Sequence, residues 1–167
     1  MRHNNQVMNV LILCTGNSAR SILAEALINA RSGGRLRAYS AGSQPRGEVH
    51  PLALETLRTC GLPTEGLRSK SWDEFANDAA PHMDAVITVC DQAAAEACPL
   101  WPGAPAKVHW GLPDPARVEG NEHERLAAFA ATFIALEKRV NLLLALPFEF
   151  LTPDELEQQL RVIANTH

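Results

Sequence analysis

Met8-Asn9-Val10-Leu11-Ile12-Leu13-Cys14-Thr15-Gly16-Asn17-Ser18-Ala19-Arg20-Ser21 is the stretch on which the reading of this chain turns. Val10 to Leu13 is a short all-apolar run, the pattern of a strand buried on both faces of a parallel sheet. Cys14 follows, then a loop of small residues, then Arg20-Ser21. From Ser21 the period changes: Ile22, Leu23, Ala26, Leu27 and Ala30 fall on one stripe at steps of three and four. The order strand, loop, helix places a cysteine at a strand's carboxyl end and an arginine in a helix's first turn.

A helix N-terminus carries unpaired N–H groups and a positive dipole end, so such a loop suits a tetrahedral oxyanion. Thr15, Gly16, Ser18 and Ala19 are small enough for consecutive amides to turn inward. Arg20 adds a planar cationic fork for two oxygens of one anion. Asn17 suits a left-handed turn, and the Ser21 hydroxyl can donate to a nearby thiolate. The same positive field is expected to lower the Cys14 thiol from about 8.5 into the range of about 3.5–7.5. A thiolate beneath a bound oxyanion is a nucleophile aimed at its central atom. A lone buried cysteine is usually a packing residue, but the Cys-x5-Arg-Ser string on a strand–loop–helix transition is hard to explain as packing. It resembles the phosphate-binding loop of the low-molecular-weight tyrosine phosphatases and of the arsenate reductases related to them.

Outward from this stretch, Ser32-Gly33-Gly34 stops the first helix. Arg35 to Ser40 predicts a second strand near the sheet edge, since arginines alternate with Leu36 and Ala38. A Gly/Ser/Pro-rich loop leads to a helix opened by His50-Pro51, with Leu54 and Leu57 inward and Cys60 as a packing residue in its last turn. Ser71-Trp72-Asp73-Glu74 is a capping-box pattern for a short helix. Asp84 to Val89 predicts a third strand, ending at Cys90, and Lys107 to Trp110 a weak fourth. Asn121 and Glu124 cap a long helix to about Leu146, and Thr152 to Glu155 open a final one. Strands alternating with helices predict an α/β fold: a three-layer arrangement with a central four-stranded parallel sheet and helices on both faces. Active groups in such sheets gather at strand carboxyl ends. That rule brings Cys14 and Cys90 to one edge.

The length of 167 residues suits a single domain, 1–167, and the net charge of -4 argues against a nucleic-acid binder. No stretch approaches the roughly 20 apolar residues of a membrane span, so no membrane association is expected. A cytoplasmic monomer is the expectation. The four cysteines, Cys14, Cys60, Cys90 and Cys98, are not a structural disulfide framework in a reducing compartment. Their spacing offers no Cys-x2-Cys unit, so no metal site is expected.

Two further segments carry chemistry: Cys90 to Pro99, with two cysteines around an alanine-rich turn, and His109-Trp110-Gly111-Leu112-Pro113-Asp114-Pro115-Ala116. Together with Val86 to Cys90 they resemble the matching segments of the thioredoxin-coupled arsenate reductases, a likeness running from Asn9 to about Leu146. The resemblance implies that Cys14 attacks arsenate, that Cys90 displaces arsenite, and that Cys98 receives the disulfide for reduction by a small redox protein. Passing the disulfide to Cys98 would require its segment to move or unwind. The Cys90–Cys98 interval is one residue longer than in the best-known thioredoxin-coupled members, and related reductases use glutathione with glutaredoxin. The donor is therefore either thioredoxin or glutaredoxin with glutathione. Asp-Pro at Asp114 is ordinary turn chemistry by itself, but the resemblance makes it the general acid that protonates the leaving oxygen. The phosphatases commonly follow Asp-Pro with an aromatic residue; Ala116 here favours a small inorganic oxyanion such as arsenate, phosphate or sulfate.

Glu25 and Ser40 resemble residues around a potassium site in some relatives, and Lys70 falls where its ammonium can replace that ion. No tightly bound cofactor is expected. Arsenate reduction by a Cys14/Cys90/Cys98 relay is thus the leading reading. A low-molecular-weight tyrosine phosphatase using Cys14, Arg20 and Asp114 is the alternative, and a non-catalytic oxyanion or redox sensor the second.

Overall fold

The computed structural model describes residues 7–91, 101 and 105–166. Strands β1 (Met8–Leu13), β2 (Leu36–Ala41), β3 (Ala85–Thr88) and β4 (Ala106–His109) alternate with helices α1 (Arg20–Arg31) and α2 (Pro51–Thr59), then α3 (Glu122–Leu144) and α4 (Pro153–Ala164). All three strand pairings are parallel, in the order β2-β1-β3-β4. The four-stranded parallel α/β sheet expected from the alternation is therefore present, with β2 at an edge.

The strand alternation sorts the core. Val10 and Ile12 of β1 join Ile87 of β3 and Val108 of β4 in the larger cluster, which the buried residues of all four helices complete. Leu11, Leu13 and Val86 face the other side, where Phe75, Met83 and Trp101 cover them. Phe75 belongs to a 3-10 turn, Trp72–Phe75, whose Ser71 cap accepts from the Asp73 N–H. The capping pattern is there, but the chain makes one tight turn of it.

Helix ends follow their sequence signals. Asn121 and Glu124 form a reciprocal capping box on α3, and Thr152 and Glu155 form one on α4. His50 caps α2 through its ring, with Pro51 in the first turn. Both sheet edges are covered by side chains. Asn29 of α1 bonds both backbone groups of Ala38, and Glu157 of α4 accepts the Lys107 N–H at 3.0 Å. Two inward assignments are corrected. Ala30 is exposed, its place on the core stripe taken by Ala24 and Ile28, and Cys60 is exposed rather than packed because α2 ends before it.

Strand order decides where chemistry can occur. β1 leaves the sheet through α1 toward β2, whereas β3 continues the opposite way toward β4. The carboxyl ends of β1 and β3 therefore flank a switch point, where open parallel sheets form their crevice. The register pairs Leu13 with Thr88, so Cys14 and Cys90 emerge side by side. No helix among the described residues is long and apolar enough to cross a membrane.

Candidate active site

The loop from Cys14 to Ala19 is held open by its carbonyls. Thr15 O accepts from Gln44 N, Gly16 O from Arg46 N and Ser18 O from His50 N, at 2.9–3.0 Å. With three carbonyls committed to the neighbouring segment, the loop is braced from one side. Asn17 takes φ 43°, the left-handed region, and is fully buried. Its amide donates to Ser21 Oγ (2.8 Å) and Ser40 Oγ (3.0 Å) while its Oδ1 accepts the Lys70 N–H (2.9 Å). Helix α1 starts at Arg20 with no side-chain cap from Ala19. No residue of its first turn is acidic, so its first amides and dipole face the loop with no anion of the helix itself against them.

Gly42 is a site residue that sequence reasoning missed. A Cβ there would lie 2.3 Å from Thr15 O and 2.4 Å from Cys14 O. The loop backbone runs over this glycine, and no side chain fits beneath it. Its signal was present in Ala41-Gly42, but the approach is a contact between segments far apart in the chain.

Cys14 and Cys90 are both buried and hydrogen bonded to each other. Cys90 Sγ also accepts the Thr15 N–H at 3.3 Å. The expectation of a lowered Cys14 thiol is corrected. Its hydrogen bond to Cys90 and then its burial push it well above the ordinary thiol range, and the opposing pull of Arg20 is the lesser effect. Arg20 is engaged elsewhere: one terminal nitrogen donates to Leu112 O at 2.7 Å and the other lies 3.6 Å from Asp114 Oδ2. Its Nε is buried with no hydrogen-bond partner among the described residues. Asp114 Oδ1 accepts the Ala116 N–H at 3.0 Å, which fixes the carboxylate at the start of the 3-10 turn Pro115–Arg117.

These groups meet in a cleft of about 590 Å³ whose wall includes Thr15, Gly16, Arg20, Cys90 and Asp114. Cys98 lies outside the described residues. Behind the loop, Ser40 donates to Glu25 and Lys70 Nζ sits 3.7 Å from the same carboxylate and 2.9 Å from Arg68 O. Burial pushes Glu25 up and Lys70 down, each offset in part by the other's charge. Among the described residues no group of three or more His, Cys, Asp or Glu side chains is placed to hold a metal ion.

Residues 9–160 match the family of low molecular weight phosphotyrosine protein phosphatases. An arsenate reductase of Bacillus licheniformis is 37% identical over 72% of this chain and 83% of its own. Among solved structures, a thioredoxin-dependent arsenate reductase of Corynebacterium glutamicum superposes with TM-score 0.57 at 29% identity, over 84% of this chain; the chain spans 65% of that protein's length. An arsenate reductase in its oxidized state superposes with TM-score 0.67 at 25% identity, over 83% of this chain and 98% of that one. The chain therefore belongs to the low molecular weight phosphotyrosine protein phosphatase family, and it is similar to arsenate reductases in sequence and in fold.

Proposed function

We propose that this protein reduces arsenate to arsenite by covalent thiol chemistry. The observation that carries the reading is the hydrogen bond between two buried thiols, Cys14 and Cys90, the second of which lines a cleft together with Arg20 and Asp114. A phosphatase needs only the first thiol; a reductase needs a second within bonding reach.

The bound dianion sits against the loop amides of residues 15–20 and the Arg20 fork. Because Cys14 is held as a thiol, its proton passes to an arsenate oxygen as the sulfur attacks arsenic. Asp114 is the acid that passes a proton to the departing oxygen, which leaves as water. A Cys14–S–As(V) adduct remains. Cys90 gives its proton to an oxygen of the adduct and attacks the Cys14 sulfur, the S–As bond breaks, and its electron pair stays on arsenic. The products are arsenite, As(III), and a Cys14–Cys90 disulfide: arsenic gains two electrons and the thiols lose two. Exchange with Cys98 would free Cys14, and a thiol donor of the thioredoxin type, or glutaredoxin with glutathione, would return the two electrons. Lys70 takes the position of a loop-supporting cation beside Glu25 and Ser40, so potassium is not needed. The protein acts as a single cytoplasmic domain and a monomer.

The test is a mass-spectrometric count of alkylatable thiols on fully reduced protein, before and after arsenate without reductant. Loss of one pair, mapped to Cys90 with Cys14 or Cys98, is expected. Survival of all four thiols together with hydrolysis of an aryl phosphate would replace the reductase reading by the phosphatase one.

A further inference from the structure

The functional reading gives no role to His109, although it opens the His109-to-Ala116 segment. His109 is the last residue of β4, one strand over from Cys90. Its Nδ1 lies 2.7 Å from Thr88 Oγ1 and its Nε2 lies 2.8 Å from Asp91 Oδ1. A carboxylate can only accept, so Nε2 carries a proton and donates to Asp91, while Nδ1 pairs with the Thr88 hydroxyl, which can accept or donate. One imidazole therefore joins the last residue of β3 to the residue just after Cys90.

The backbone makes room for this ring. A Cβ on Gly111 would come within 2.7 Å of His109 Nε2 and 3.0 Å of Asp91 Oδ1. The chain from Thr88 to Cys90 is also held by Trp110 N donating to Thr88 O at 2.7 Å, Val89 N to Leu13 O at 2.9 Å, Leu112 N to Val89 O at 3.1 Å and Thr15 N to Cys90 Sγ at 3.3 Å. None of those bonds reaches beyond Cys90. Among the described residues, the His109–Asp91 contact is the side-chain hydrogen bond on the far side of the arc that carries the second thiol.

We propose that His109 is a positioning residue for Cys90: by bridging Thr88 and Asp91 it holds the arc that aims the Cys90 sulfur at Cys14. The inference rests on the reductase reading, because only reduction uses Cys90 as an attacking group. The loop, Arg20 and Asp114 lie outside the bridge. Arsenate binding should therefore survive its loss, and the second chemical step should not. A displacement of about 1 Å at an attacking atom is enough for a rate loss of up to about a hundredfold.

The experiment is single-turnover arsenite release, without reductant, over a range of arsenate concentrations. The full chain is compared with His109→Leu, which keeps bulk but loses both hydrogen bonds, and His109→Gln, which keeps a donor toward Asp91. For His109→Leu the half-saturating arsenate should stay within about twofold while the limiting rate falls about tenfold or more. His109→Gln should recover most of that rate. An unchanged limiting rate in His109→Leu overturns the inference and leaves the reductase reading standing. A joint loss of arsenate affinity and rate, or no recovery by His109→Gln, also overturns it, since the effect would then be on the fold. If the unaltered chain releases no arsenite and forms no disulfide, the reductase reading falls and the inference with it.

Discussion

At the scale of single residues, the Cys14 thiol is governed by its neighbour more than by the helix end beneath it. Cys90 and burial raise it while Arg20 pulls the other way. Alkylation of Cys14 by iodoacetamide should accordingly climb with pH through the neutral and alkaline range. Cys90→Ala removes the largest cause, so at pH 7 its Cys14 should be alkylated faster than in the unaltered protein; an equal or slower rate would mean that burial alone holds the proton. Asp114 is placed by the Ala116 N–H and faces Arg20. Asp114→Asn preserves that cap but has no proton to give, and the arsenate reduction rate should fall by about 10²–10⁴-fold. A loss under about threefold, measured at saturating arsenate, would put the proton donor elsewhere. The roles of Cys14, Arg20 and Asp114 were suggested by the sequence because each sits in a local string. The direction of the Cys14 shift was not, since it depends on Cys90, 76 positions away in the numbering.

Elements add constraints that no single string contains. The loop is shaped by the strand ahead, the helix behind and the segment after β2 that donates to its carbonyls. Gly42 is where that segment passes under the loop, and Gly42→Ala would force backbone atoms apart from 2.3 Å. Overpacking of this kind costs about 1–3 kcal/mol. The expected result is a lowered melting temperature together with arsenate half-saturation raised about tenfold or more, as the loop amides are displaced. Calorimetry and a kinetic titration on one preparation would check both; unchanged arsenate affinity would show that the loop does not depend on this approach. Most elements were legible beforehand. The α3 and α4 capping boxes announce their helices because cap chemistry is local. Cys60 and Ala30 were misassigned because burial is set by which neighbour a helix face meets.

Across the whole molecule, Lys70 joins parts of the chain that are far apart: its backbone N–H meets Asn17 of the loop and its ammonium meets Glu25 of α1. Both Glu25 and Lys70 are largely buried, and removing one member of a buried pair costs roughly 3–5 kcal/mol. Lys70→Ala should therefore unfold at a lower denaturant midpoint in sodium buffers, and replacing sodium by potassium should restore part of the loss and tighten arsenate binding. The unaltered protein should respond equally to the two salts. If the variant also shows no difference between sodium and potassium, the ammonium is not standing in for a cation.

By itself the sequence determined the local frame: a buried strand, a small-residue loop, an arginine at a helix start, capped helices, and the alternation that makes a parallel sheet. These are legible because hydrophobic period and cap chemistry act over a few residues. The tertiary structure decided which side chains meet. Strand order β2-β1-β3-β4 put the ends of β1 and β3 at one switch point, and the register of Leu13 with Thr88 brought Cys14 against Cys90. The same assembly slid Gly42 beneath the loop and set His109 between Thr88 and Asp91. Contacts of this kind exist only after the sheet has closed distances that the linear chain leaves open, and they fix the protonation and aim on which the chemistry depends.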